Sequence, residues 1–69
     1  MKEYVTNKVS DLRKQKQATQ EEVAHKIGVS RQTVFAIEKG NYIPSLLLGI
    51  KIAKFFKKKV EEVFIYHEK

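Results

Sequence analysis

The stretch QEEVAHKIGVSRQTVFAIEK, residues 20–39, reads as two short helices joined by a tight turn. Thr19 precedes it as an N-cap, and Glu22 lies three residues on, at capping-box spacing. Glu21 and Glu22 suit the positive end of the helix dipole. Val23, Ala24 and Ile27 fall on one face at i, i+1 and i+4. Gly28 ends this helix in the left-handed conformation, which glycine reaches without a Cβ clash. Val29 turns back toward the core, and Ser30 caps the second helix. In that helix Val34 and Ile37 face inward at i, i+3, and Gly40 followed by Asn41 closes it.

Two caps this close together force the helices to cross steeply, and Ala24 is small enough for the crossing. This is a helix-turn-helix, whose second helix enters the major groove of DNA. Residues 19–24 (TQEEVA), 27–34 (IGVSRQTV) and 37–40 (IEKG) resemble the lambda-repressor and Cro-like, or XRE-type, family of helix-turn-helix regulators. A second block, from Pro44-Ser45-Leu46 to Lys51-Ile52-Ala53, is similar to the family's fourth helix. Two blocks in the right order are far more specific than the motif alone. The resemblance spans roughly residues 8–64 and implies an all-α fold, a compact five-helix DNA-binding domain.

Working outward, Asn7 is the expected N-cap of a first helix over 8–16, with Val9 and Leu12 inward. Arg13, Lys14 and Lys16 load its C-terminal end, where cations suit the dipole. After the loop at 40–44, Pro44 lets a helix begin just beyond it, and Ser45 caps a fourth helix over 46–56. Apolar residues there cover more than one face. The face expected to close the core is Leu46, Gly49 or Ile50, Ala53 and Phe56, which leaves Leu47 and Phe55 without a partner in their own chain. Lys57-Lys58-Lys59 reads either as a solvated turn or as a phosphate contact. A fifth helix is expected over 60–64, with Val63 and Phe64 inward. Both ends carry strand formers: Tyr4, Val5 and Thr6, then Phe64, Ile65 and Tyr66. Segments 2–6 and 64–68 either pair as short strands or remain tails; by the resemblance, such strands extend the dimer in some small members.

The second helix of the motif exposes Arg31, Gln32, Thr33, Phe35 and Ala36. Arg31 and Gln32 lie in its first turn beside the cap Ser30, the part that reaches deepest into the groove. Arginine pairs with guanine O6 and N7, glutamine with adenine N6 and N7; the alternatives are a phosphate contact for Arg31 and plain solvation for Gln32. The resemblance implies that Gln20 binds a phosphate and buttresses Gln32. Thr33 has a phosphate or a thymine methyl within its reach, or only solvent. Phe35 departs from the family, where the position is small or polar; it either packs on thymine methyls or folds back toward Tyr42. Lys39 and Asn41 read as phosphate-positioning residues.

The 69 residues are expected to form one domain, without a small-molecule ligand domain. A net charge of +6 favours a polyanionic partner, although a lysine-rich soluble surface has the same composition. The partner expected is double-stranded DNA, a palindromic operator bound by a two-fold homodimer through Leu47, Phe55, Ile65 and Tyr66. The rival reading is a protein-interaction module, an antitoxin or adaptor, on the same fold. No enzyme, cofactor or metal site is expected: there is no cysteine, and His25 and His67 read as solvated. The absence of cysteine and of any long apolar run points to a cytoplasmic chain without a membrane span.

Overall fold

The computed structural model describes residues 2–69. In chain order the elements are β1 (Glu3–Asn7), α1 (Val9–Gln15), α2 (Gln20–Ile27), α3 (Arg31–Lys39), α4 (Leu46–Phe55), α5 (Val60–Val63) and β2 (Phe64–Glu68). The fold is thus the expected five-helix domain with short terminal strands. β1 and β2 pair antiparallel, from Glu3 opposite Glu68 to Asn7 opposite Phe64.

Caps set the helix boundaries where the sequence signals them. At Thr19 both halves of the capping box form: Glu22 N donates to Thr19 Oγ1 at 3.0 Å, and Thr19 N donates to Glu22 Oε1 at 2.7 Å. Ser30 and Ser45 accept from the backbone N–H groups of Thr33 and Leu48. Gly28 and Gly40 end α2 and α3 with φ of 80° and 82°. The first helix differs from expectation. It begins at Val9 after Lys8, and Asn7 is the last residue of β1. Asn7 Oδ1 still accepts from Val9 N at 3.1 Å, while its Nδ2 donates to Ile37 O at 2.9 Å. One amide therefore ties the strand, the start of α1 and the end of α3 together.

Val9, Val23, Ala24, Ile27, Val34, Ile37, Ile52, Ala53, Phe56 and Val63 form the core. Truncating one of the large members, Ile37 for example, would cost about 2–5 kcal/mol, against about 1 kcal/mol for losing a cap. Burial therefore decides the fold, and the caps decide where each helix stops. α4 keeps the expected inner face at Gly49, Ala53 and Phe56, and departs from it only at Leu46, whose place Ile52 takes. Gly49, Ile52, Ala53 and Phe56 face inward, whereas Leu46 is 75% exposed. The helix is apolar nearly all round, so its periodicity does not select a face; contact with α2 and α5 does. Phe55 is half-buried rather than unpartnered, meeting Phe56 edge to face at 4.9 Å with the Lys16 ammonium 5.3 Å from its ring centroid.

One ion pair crosses this core's edge. Arg13 Nε donates to Glu38 Oε2 at 2.6 Å, and Nη2 donates to Glu38 Oε1 at 3.1 Å. Arg13 Nη1 donates to the Ala18 carbonyl at 3.1 Å. Only 15% of the Arg13 side chain and 7% of the Glu38 side chain are exposed. Arg13 is thus a strut between α1 and α3, not simply a cation at a helix end. Burial alone would raise the Glu38 carboxyl, but hydrogen bonds from Arg13 and Gln20 outweigh it and leave the pKa below its ordinary value.

Two non-glycine residues, Gln17 and Lys57, sit at φ 59° and 57° just past α1 and α4. Each closes its helix: Ala18 N donates to Arg13 O, and Lys58 N to Ala53 O. The sequence carries no glycine to announce these two stops. A left-handed non-glycine residue costs about 1–2 kcal/mol, and glycine's extra chain entropy offsets part of the gain. Lys57→Gly is therefore expected to raise unfolding stability by about 0.5 kcal/mol, measured by urea denaturation. For Glu38, a depressed folded pKa means stability present above the unfolded carboxyl's pKa and lost as pH falls through the folded value. Glu38→Gln is expected to lower stability by about 2 kcal/mol at neutral pH, and to flatten the loss of wild-type stability below about pH 4.5. Urea titrations from pH 7 to 3 check both.

Candidate nucleic-acid interface

α2 and α3 pack directly on one another through Val23, Ala24, Ile27, Val34 and Ile37. With about 100° between successive helix residues, Gln32 and Lys39, two turns apart, point away from Val34 and Ile37. Arg31, Gln32, Phe35 and Lys39 are exposed on this outward face, while Thr33 and Ala36 are half-buried at its borders. The face lies on a helix whose opposite side is anchored in the core. Its side chains are presented by rigid backbone rather than by a loop.

Each expected residue has a definite place. Ser30 is exposed but occupied, since its hydroxyl caps α3 and lies 3.0 Å from the Thr33 hydroxyl. Thr33 is correspondingly tied to the cap. Phe35 is 46% exposed, with the Lys39 ammonium 5.8 Å from its ring centroid. That places one cation over an aromatic face at the centre of the outward surface. Asn41 is exposed beyond the end of α3, and its backbone N–H donates to Ala36 O. That N–H is therefore committed to closing the helix.

Gln20 differs from the expectation drawn from the resemblance. Its side chain does not buttress Gln32. Nε2 donates to Glu38 Oε1 at 3.1 Å, and Oε1 accepts from Arg31 Nη1 at 3.4 Å. Arg31 is thus joined to the strut of α1 and α3 through one amide. The sequence does not reveal that Arg13, read there only as a cation at a helix end, pairs with Glu38, because the two are 25 residues apart.

The residues expected at a dimer interface differ in exposure. Leu47 is 70% exposed at the start of α4, beside Leu46 and an exposed Ile43. Phe55 lines a hollow with Lys16, Ala18, Glu22, His25 and Lys26. Ile65 is half-buried in β2, and Tyr66 is exposed beside it. The Tyr66 hydroxyl donates to Glu3 Oε2 at 2.6 Å, a bond that raises its pKa. His67, expected to be merely solvated, stacks on Tyr4 with ring centroids 4.8 Å apart and is hydrogen-bonded to Thr6 Oγ1 at 2.9 Å. His25 is exposed on α2 as expected. Among the described residues, no helix is long and apolar enough to cross a membrane.

A helix crossing packed through aliphatic side chains around Ala24, with a charged and amidic face turned outward, defines a class, and comparison with known proteins agrees. The helix-turn-helix family model matches residues 9–63. An uncharacterized helix-turn-helix-type transcriptional regulator from Methanocaldococcus jannaschii is 56% identical over 90% of this chain and 94% of its own length. The Bacillus subtilis regulator YgzD is 53% identical over the same shares. The phage repressor RstR from Vibrio cholerae is 41% identical over 84% of this chain, but over only 52% of its own length. A crystal structure of a Bacteroides fragilis protein, itself proposed to bind DNA, superposes with a TM-score of 0.79 over 87% of this chain and 97% of that one; at 22% identity it speaks to the fold alone. The chain belongs to the XRE-type helix-turn-helix family of DNA-binding transcriptional regulators.

Proposed function

We propose that this chain is a repressor that reads the major groove with α3, as a two-fold dimer on a palindromic operator. The observation that carries the reading is the outward face of α3, with Arg31 and Gln32 exposed at its leading end and the opposite side buried. Gln32 is assigned to an adenine edge, and Arg31 to the O6 and N7 of guanine. Phe35 is assigned to thymine methyls beside them. Gln20, Ser30, Thr33, Lys39 and Asn41 line the approach to the flanking phosphates. A chain that occupies a promoter blocks it most simply, and the Vibrio cholerae relative is named a transcriptional repressor. The site of action is the cytoplasm, and no catalytic role is assigned.

For the dimer, Leu47 is the side chain of the expected set that is most open, and Ile43 and Leu46 widen it into one apolar patch. Isolated small domains rarely leave such a patch uncovered. The same patch favours a second reading, in which the domain holds another protein rather than a second copy. Phe55, already covered in part within the chain, is the weakest of the interface assignments.

Three measurements separate the possibilities. Gln32→Ala is expected to flatten sequence preference by about 1–3 kcal/mol at one base step. Lys39→Ala should weaken specific and random duplexes equally and reduce the salt slope by roughly one. Titrations on both duplexes read this directly, and the reverse pattern would exchange the roles. Leu47→Glu should convert a sedimenting dimer to monomer and abolish operator binding, while random-duplex binding per monomer persists. A monomeric wild type that binds its operator would remove the dimer.

A further inference from the structure

Four side chains form a continuous line from the protein's interior to the outward face of α3. Arg13 donates twice to Glu38, Gln20 Nε2 donates to Glu38 Oε1, and Arg31 Nη1 donates to Gln20 Oε1. The chemistry of this line has a direction. A carboxylate only accepts hydrogen bonds, so the end of the Gln20 amide that faces Glu38 must be its NH2. The carbonyl oxygen must then face the other way, toward Arg31. If the Gln20 partner were neutral and able to donate, the amide could turn over and offer its NH2 to Arg31, which has no acceptor to receive it.

We infer that Glu38 is a positioning residue for base readout: it fixes the orientation of the Gln20 amide, whose oxygen then holds the Arg31 guanidinium in one direction. The inference rests on the proposed reading of the groove by α3. A guanidinium carries five N–H donors in a flat fork. With one N–H engaged by Gln20, the remaining edge is free for the paired acceptors of a guanine. An arginine swinging freely from an exposed helix start would find phosphates as readily as bases. Base preference at the Arg31 position therefore depends on a side chain whose charged end is almost wholly covered and touches no DNA.

The test uses the full chain and an operator chosen from a random duplex pool. Arg31→Ala identifies the base pair whose preference depends on Arg31. The ratio of affinities for guanine and adenine at that pair is then measured for three further variants. Gln20→Leu leaves the Arg13–Glu38 pair in place and so keeps the fold, yet removes the amide. Glu38→Gln replaces the acceptor-only group. Arg13→Lys weakens the strut but retains the carboxylate that orients Gln20. Gln20→Leu and Glu38→Gln are expected to reduce the ratio by roughly fivefold, the lower end of a bidentate contact's worth, with random-duplex binding unchanged in Glu38→Gln. Arg13→Lys should lower thermal stability and leave the ratio intact. If Arg31→Ala changes the preference but Gln20→Leu retains the wild-type ratio, the positioning role is overturned and the groove reading stands. An equal loss of ratio in Arg13→Lys and Glu38→Gln would also overturn it, because both would then act through stability. If Arg31→Ala changes no preference at any base pair, both the positioning role and the groove reading fall.

Discussion

The Arg13–Glu38 pair is the directional contact that joins α1 to the last turn of α3. Apolar burial stabilises helix contact in proportion to area, and interlocking side chains limit the crossing angle to a few ranges. A forked pair of hydrogen bonds is directional. Here the fork runs from the end of α1 to the last turn of α3, with a third guanidinium N–H on the Ala18 carbonyl between α1 and α2. Asn7 adds a second tie, from the β1 end to the Ile37 carbonyl. α3 is thus fixed along its C-terminal half by directional bonds and along its inner face by Val34 and Ile37. At its N-terminal end Arg31 and Gln32 are exposed, with Arg31 tied only to Gln20. The near-complete cover of the pair also shields it from salt, unlike the surface lysines.

The surface divides by composition. Around α3 the outward groups are a guanidinium, an amide, an ammonium and one aromatic ring. At the start of α4 they are Ile43, Leu46 and Leu47, the three most exposed large aliphatic side chains. The net charge of +6 gives long-range attraction to a polyanion, and this attraction weakens steeply with salt. The apolar patch is insensitive to salt in that sense. Ionic strength therefore acts on the charged and apolar surfaces differently.

What was legible in the sequence was what is local. Thr19 with Glu22, Ser30, Gly28 and Gly40 state their roles within four residues, and the structure has each of them in place. The terminal strands were legible as a choice, because β-prone residues at both ends signal pairing only if the ends meet. The inner face of α4 was legible at Gly49, Ala53 and Phe56 but not at Leu46 and Ile52, since leucines and isoleucines on most sides of a helix mark its inner face weakly. The stops at Gln17 and Lys57 lacked a glycine to mark them. At the candidate site, the exposure of Arg31 and Gln32 followed from the positions of Val34 and Ile37. The partners of Gln20 did not, because Glu38 is 18 residues away and no spacing rule links a helix start to the end of the next helix.

The most direct measurement of where α3 goes is methylation of guanine N7 by dimethyl sulfate on a selected operator, with and without the protein. N7 lies on the major-groove edge of the base. Protection of guanine N7 in two clusters about 10 base pairs apart is predicted, with adenine N3 in the minor groove left reactive. Full reactivity of guanine N7 in a saturated complex, with protection confined to minor-groove adenines, would contradict the placement of this helix.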